Sequence, residues 1–145
     1  MNLTGAPSTI LANIANDYLG AAEAVWYARK LTAGHSAKGS IYDYQAAALY
    51  ALCSGYDDPD GTILEIGTYY GFTAAVMAQA APLARIITIN PTPWEYDAAC
   101  EILRGYPNVR CFCAFSLDYL AAYAGQPDVI FLDGDHKDIR KDLRW

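Results

Sequence analysis

Two glycines and a carboxylate are spaced for ligand binding in residues 65–73, which follow the pattern E-x-G-x-x-x-G-x-T. This segment lies where a short β-branched run, Thr62 to Ile66, gives way to a helical run that begins at Phe72. Gly67 lets the backbone turn tightly and approach a ligand without an intervening Cβ, and Gly71 lets the helix start close to the strand. Because open parallel sheets bind ligands at such strand ends, the segment predicts a small-molecule site.

The glycine segment does not fit the dinucleotide fingerprint G-x-G-x-x-G. Tyr69 and Phe72 stand where the second and third glycines of that fingerprint belong. The pattern therefore argues against a nicotinamide oxidoreductase. In the alternative interpretation the segment has only a structural role, as an ordinary strand-to-helix turn with two glycines and a buried Glu65.

A second group of polar residues, D-G-D-H at positions 133–136, follows the apolar run Asp128 to Leu132. His136 suits a general base, because the ordinary pKa of an imidazole is close to neutral. In the alternative interpretation Asp135 only caps a helix and His136 is its solvated first residue. We expect both polar segments to lie at strand ends.

Two helices are predicted ahead of the first strand. Apolar residues recur every three to four positions from Thr9 to Leu31, which indicates a helix that ends before Gly34. Ser40, with Asp43 three residues later, resembles a capping box and predicts a second helix that runs to about Cys53. The stretch from Gly55 to Gly61 then reads as a loop.

Four strand–helix units follow and predict a parallel sheet with helices on both faces. The expected strands are residues 62–66, 85–89, 109–113 and 128–132, and the expected helices are 72–80, 93–104, 116–123 and one from 136 to the chain end. The predicted fold class is therefore α/β, Rossmann-like. We expect one structural domain, with a helical segment at residues 1–56 and a Rossmann-like half-domain at residues 57–145.

The two polar segments together carry a family resemblance. The pattern at residues 65–73 resembles motif I of the class I S-adenosylmethionine-dependent methyltransferases. The D-G-D-H segment is similar to the fourth-strand end of a small-molecule O-methyltransferase branch akin to cephalosporin hydroxylase and macrolide-sugar O-methyltransferases. The resemblance covers Thr62 to Trp145, and it implies strand order 3-2-1-4 and transfer of a methyl group from S-adenosylmethionine to an oxygen of a small-molecule acceptor.

The resemblance also implies the roles of individual residues. Glu65 and the loop from Gly67 to Gly71 would hold the methionyl end of the cofactor, and Asp133 would face the methyl group and the acceptor. The catalytic residues implied are Asp133 and His136, and Asp133 would also bind a divalent metal such as Mg²⁺. The cofactor-binding residues implied are Glu65, Gly67, Thr68, Tyr69, Gly71, Asn90, Phe115, Ser116 and Asp133.

The chain departs from the family pattern in three places. Asn90 stands where an acid usually binds the ribose hydroxyls, and Phe115 stands where an acid usually reaches the adenine amine; Phe115 can stack but cannot accept a hydrogen bond. A full domain of this class continues through a fifth strand and an antiparallel pair, whereas the sequence stops at Trp145. We therefore expect a truncated product, a half-domain completed by another polypeptide, or a homo-oligomer that pairs along residues 128–132.

These departures leave an alternative function open, namely a non-catalytic, methyltransferase-like binding or assembly module.

The composition of the chain excludes some classes of partner and location. A formal charge of −6 and a pI near 4.6 argue against a nucleic-acid partner. No apolar stretch is long enough to span a membrane, and the N-terminus lacks the basic start of a secretory signal, which favours a cytoplasmic location. The four cysteines are expected to be buried thiols rather than zinc ligands.

Overall fold

The computed structural model describes residues 7–35 and 40–134, which form five α-helices and four strands. In chain order the elements are α1 (Pro7–Leu31), α2 (Asp43–Cys53), β1 (Thr62–Ile66), α3 (Phe72–Ala80), β2 (Arg85–Asn90), α4 (Pro93–Ile102), β3 (Val109–Cys113), α5 (Ser116–Ala122) and β4 (Val129–Leu132). Short 3₁₀ turns follow α2 at Ser54–Tyr56 and α4 at Leu103–Gly105. The predicted helix from residue 136 lies outside the described residues.

The four strands form one parallel sheet in the order β3-β2-β1-β4, which confirms the predicted order. β1 lies at the centre, with Ile63 beside Ile86 of β2 on one side and Val129 of β4 on the other. Strands β2 and then β3 are added on one side of β1 and β4 is added on the other side, so the strand order reverses between β1 and β4. All four strands end at the same edge of the sheet, where ligands bind in folds of this kind.

Helices cover both faces of the sheet, also as predicted. On one face α1, α2 and α3 pack with Ile63 and Ile86 in one apolar core, which includes Val25, Leu49 and Met77. On the other face Leu64, Ile66, Ile87 and Ile89 pack against Leu120 of α5. Strand β1 is buried at every residue because it has neighbours on both sides and layers above and below.

Some predicted boundaries were wrong. Helix α2 begins at Asp43 rather than at Ser40, because the side chain of Gln45 accepts a hydrogen bond from the backbone N–H of Tyr42 at 2.9 Å and so caps this helix. Ser40 instead accepts a hydrogen bond from Arg29. Helix α4 ends at Ile102, two residues before the predicted end, and continues as the 3₁₀ turn.

The cysteines only partly match the expectation of burial. Cys53 is buried, and burial raises the pKa of its thiol to about 12. Cys100 and Cys111 are half-buried, but Cys113 is exposed, because it ends the edge strand β3. None of the helices within the described residues is long and apolar enough to cross a membrane.

Candidate ligand site at the end of the first strand

The loop between β1 and α3 is tight and is pinned to β2. Gly67, Tyr69 and Gly71 all have positive φ, at 106°, 49° and 83°. The backbone N–H groups of Gly67 and Thr68 both donate to the carbonyl oxygen of Ile89, at 2.9 and 3.2 Å, and Gly71 closes the turn by donating to Thr68. Tyr69 is the non-glycine residue here with a left-handed backbone, a conformation that usually requires support from its surroundings.

The two predicted glycines are required by packing inside the protein. A Cβ at Gly67 would lie 2.5 Å from the carbonyl oxygen of Asp133, just beyond β4, because Asp133 continues the ladder by donating to Ile66. A Cβ at Gly71 would lie 2.8 Å from a methyl carbon of Leu103, in the turn after α4. The sequence predicted the need for glycine at both positions but not the neighbours that impose it.

Glu65 lies beneath the loop. Its side chain is fully buried, one carboxylate oxygen accepts a hydrogen bond from Thr73 in α3, and the other accepts one from Thr88 in β2. The Thr88 hydroxyl also contacts the Thr68 hydroxyl, at 2.5 Å between oxygens. Burial raises the pKa of Glu65 to about 7, with a smaller contribution from the charge of Asp133, while the two hydrogen bonds act in the opposite direction.

A cavity of about 140 Å³ lies between this loop and the end of α1. The ring of His35 stacks on Tyr70 with 4.4 Å between centroids, and Tyr70 contacts Tyr69 at 4.3 Å. Arg29 lies 3.8 Å from the ring centroid of Phe72. The cavity is lined by loop residues together with side chains from the leading helices: Arg29, Thr32, Ala33, His35, Ser40, Gly67, Thr68, Tyr69, Tyr70, Phe72, Thr73 and Asp133.

Sequence reasoning missed Arg29 and His35 as site residues. Arg29 belongs to the last turn of α1, and its guanidinium donates to Asp43, Ser40 and the carbonyl oxygen of Ile41. These bonds hold the segment before α2 against α1, next to the loop. No local motif marks either residue, because their position depends on how the leading helices pack on α3.

The end of β2 carries a carboxylate that the sequence analysis did not identify. Asn90 is buried, and its amide nitrogen donates to Glu95 at 2.9 Å. Glu95 belongs to the first turn of α4, so it returns to the strand end from five residues further along the chain. The sequence did contain a signal for Glu95, because the first turn of a helix favours a negatively charged residue.

The end of β3 adds Phe115 and Ser116, which start α5 on the far side of β2 from the glycine loop. Ala114 donates its backbone N–H to the carbonyl oxygen of Asn90 at 3.2 Å, so the ends of β2 and β3 are held together. Phe115 is 68% exposed and Ser116 is half-buried. The strand order thus places Phe115 and Ser116 beside Asn90 and separates them from Asp133.

Asp133 follows β4 directly and lines the cavity. Within residues 7–35 and 40–134, no three His, Cys, Asp or Glu side chains converge as a metal site would require. A metal ion at Asp133 stays a prediction. The predicted base His136, and Asp135 before it, lie outside the described residues.

Comparison with known proteins gives a consistent result. Residues 64–145 match a family model described as a methyltransferase domain. The chain resembles the methyltransferase PaMTH1 of Podospora anserina, solved with SAH bound, at 18% identity and a TM-score of 0.71 over 99% of this chain and 65% of that one. It also resembles TomG of Streptomyces achromogenes, an O-methyltransferase involved in tomaymycin synthesis and solved in complex with SAM, at 25% identity and a TM-score of 0.70 over 85% of this chain and 58% of that one.

A third similar structure is the cofactor-bound Rv0187 from MTB, at 24% identity and a TM-score of 0.70 over 98% of this chain and 67% of that one. The chain thus spans about three fifths to two thirds of the length of these solved chains. Curated proteins gave no match to it. The fold of these neighbours is the fold described above.

Proposed function

The chain belongs to the methyltransferase-domain family, and from that premise we propose that it binds S-adenosylmethionine at the β1–α3 loop and transfers the methyl group to an oxygen of a small molecule. The observation that carries the proposal is the meeting of the glycine loop, Asn90 with Glu95, and Asp133 at one edge of the sheet. The similar structures support the two parts separately. PaMTH1 was solved with SAH and TomG with SAM, and TomG is an O-methyltransferase.

The cavity beside the loop suits the methionyl end of this cofactor. Arg29 supplies a positive wall for a carboxylate, while Thr68 and Asp133 supply oxygen atoms for an ammonium group. Glu65 does not line this cavity, so its predicted contact with the cofactor becomes, in this proposal, an indirect effect through Thr73 and Thr88. The left-handed backbone at Tyr69 keeps the loop narrow beside the ligand.

We assign the ribose-binding role to Glu95 together with Asn90. The pair places one carboxylate at the end of β2, where the family pattern led us to expect an acid at position 90 itself. A hydrogen bond to a charged acceptor is worth about 1.5–3 kcal/mol against about 0.5–1.5 kcal/mol for a neutral one. Phe115, exposed beyond β3, is positioned to stack on the adenine ring.

The bound cofactor supplies an electrophilic methyl group on a positively charged sulfur atom. In the proposal Asp133 stabilises that positive charge and orients the acceptor hydroxyl, and His136 removes the hydroxyl proton. Holding the acceptor in line with the methyl group supplies most of the rate acceleration. A divalent metal such as Mg²⁺ at Asp133 stays a prediction, and no step is assigned to it here.

Calorimetric titration with S-adenosylhomocysteine tests the cofactor site, since this product analogue needs no acceptor. We expect a dissociation constant in the micromolar to submillimolar range. Replacement of Glu95 by Gln is expected to weaken binding about tenfold, which corresponds to about 1.4 kcal/mol. The matched control is Glu101→Gln, an exposed acid of the same helix, which should leave binding unchanged.

A second candidate function is the non-catalytic binding or assembly module. It is favoured by Phe115, which provides no hydrogen-bond acceptor for adenine at the end of β3. A folded chain that binds no S-adenosylhomocysteine would support this candidate and contradict the first. Equal binding by the native chain and Glu95→Gln would reject only the ribose assignment.

A further inference from the structure

Glu65 is a fully buried carboxyl group beneath the ligand loop. Threonine hydroxyl groups connect it, directly or through one another, to three parts of the site. Thr73 connects it to the first turn of α3, Thr88 connects it to β2, and Thr88 in turn contacts Thr68 of the loop. Of these side chains, Thr68 and Thr73 also line the cavity.

The hydrogen-bond directions in this network follow from proton counting. A threonine hydroxyl has one proton and can donate only one hydrogen bond. Thr88 donates its proton to Glu65, so the bond between Thr88 and Thr68 requires Thr68 to be the donor. The proton of Thr68 then points away from the cavity, and its lone pairs remain available to a ligand.

We propose that Glu65 is a positioning residue that acts through Thr88 to make the Thr68 hydroxyl a hydrogen-bond acceptor toward the ligand. This inference rests on the proposed function, because it identifies the ligand group as the methionyl ammonium of the cofactor. When Glu65 is protonated on the oxygen that faces Thr88, the directions reverse: the carboxyl donates to Thr88, Thr88 donates to Thr68, and Thr68 presents its proton to the cavity. The ammonium group then loses an acceptor.

Other ionisable groups that act on Glu65 come from each neighbouring element. They are Asp133 after β4, Cys53 in α2 and Cys111 in β3. Burial is the main cause that raises the pKa of both thiols to about 12, so neither carries charge in the neutral range. Arg29 and His35 line the same cavity, and they are present in every variant compared below.

The test is calorimetric titration of the full chain between pH 5.5 and 8.5 with two probes. S-adenosylhomocysteine has an amino-acid part with an ammonium and a carboxylate, whereas 5′-methylthioadenosine has the same nucleoside without either group. For the native chain we expect S-adenosylhomocysteine to bind about tenfold more tightly at the high end of this range, with no such change for methylthioadenosine. Equal pH dependence for the two probes would overturn the proposal.

Glu65→Gln is the decisive variant, since an amide keeps the size of the side chain but cannot ionise. We expect its affinity for S-adenosylhomocysteine to stay near the low-pH value of the native chain throughout. Glu101→Gln, an exposed acid on α4, should keep the native profile. A native profile in Glu65→Gln would overturn the proposal.

Amide hydrogen exchange without ligand separates this inference from the proposed function. The loop amides of Gly67 and Thr68 donate to Ile89 of β2 and that of Gly71 donates to Thr68, whereas the amides of Ile63 and Leu64 report on strand β1 itself. In Glu65→Ala we expect the loop amides to exchange faster by a larger factor than the strand amides. An equal factor at both would show a general loss of stability and would overturn the positioning role, even in a chain that binds no cofactor.

Discussion

Strands β1 and β4 pair in register over four residues, yet their surroundings differ. Every residue of β1 is buried, whereas Ile130 in β4 is 46% exposed and its neighbours Phe131 and Leu132 are half-buried. The composition of the two strands is similar, so the difference comes from position: β1 is central and β4 is at the edge of the described sheet. Pairing of this edge with another polypeptide or a second copy remains a prediction.

The ends of β1 and β4 also differ in their proposed roles in the site. The buried strand β1 ends in the loop that is proposed to bind the cofactor, and its one carboxylate accepts hydrogen bonds from two hydroxyl groups, those of Thr73 and Thr88. The edge strand ends in Asp133, which lines the same cavity. A rigid strand thus supports the binding loop, and the less enclosed strand supplies the carboxylate proposed to meet the acceptor.

The largest loss of stability is expected where the ends of β1 and β4 touch. Gly67→Ala places a Cβ about 2.5 Å from the Asp133 carbonyl oxygen at a φ of 106°, and we expect it to lower the free energy of unfolding by about 4 kcal/mol. The matched control is Gly134→Ala on the β4 side, where the nearest atom to a Cβ is 3.4 Å away and the cost should be below about 1 kcal/mol. Urea unfolding of the two variants measures the difference, and similar losses would contradict the packing described here.

The next largest loss of stability is expected from the same substitution, Ile to Ala, made in β1 and in β4. Ile63→Ala removes a side chain with no exposed surface and should lower the free energy of unfolding by about 3 kcal/mol. Ile130→Ala removes the partly exposed side chain in β4 and should cost less than about 1 kcal/mol. A large loss at Ile130, measured by chemical denaturation, would mean that β4 is covered in solution.

A smaller effect is expected from the pH dependence of stability. Burial raises the pKa of Glu65 from 4.5 to about 7, so the folded chain holds this proton more tightly than the unfolded chain. Glu65 therefore contributes most to the free energy of unfolding at low pH. This contribution falls as pH rises from about 4.5 to about 7, by about 1.4 kcal/mol per pH unit at most.

Denaturation at pH 5, 6, 7 and 8 checks this slope. Glu65→Gln should lack the part of the slope that comes from Glu65, and Glu101→Gln should retain it. If the native chain and Glu65→Gln showed parallel profiles, the buried carboxyl would not titrate as described.

The smallest effect is expected at the periphery of the site. Arg29 and Asp43 form an ion pair at 2.8 Å in which Asp43 is largely exposed. Asp43→Asn should cost about 0.2–1 kcal/mol, because exposed pairs gain little and Arg29 keeps its bonds to Ser40 and Ile41. Thermal unfolding at low and high salt measures the loss, and a cost above about 2 kcal/mol would be evidence against this weak contribution.

The elements around the loop could be predicted to the residue. Strand β1 and helix α3 have the predicted bounds, because the β-branched and apolar runs there are interrupted by Gly67, Gly71 and Pro82. Strand β3 also has its predicted bounds. The start of α2 was not predicted, since the choice between Ser40 and Tyr42 as its first cap depends on Arg29, a residue eleven positions from Ser40 that binds its hydroxyl.

The site was predicted less completely than the fold. Motif spacing placed the loop, Asn90 and Asp133 at strand ends, where the structure has them, while their binding roles stay predictions. It could not reveal that Glu95, Arg29 and His35 lie nearby, because their positions depend on a helix that turns back to a strand end or on α1 packing beside the loop. Nor could it distinguish a Glu65 that contacts a ligand from one that is buried beneath the loop, since both fit the same pattern.

The most direct test of the central claim is amide hydrogen exchange of the full chain with and without S-adenosylhomocysteine. We expect slower exchange at Gly67, Thr68 and Gly71 and at the end of β2 around Asn90, with no change along the exposed edge of β4. Protection confined to other parts of the chain, or none at saturating ligand, would contradict a cofactor site at the end of β1.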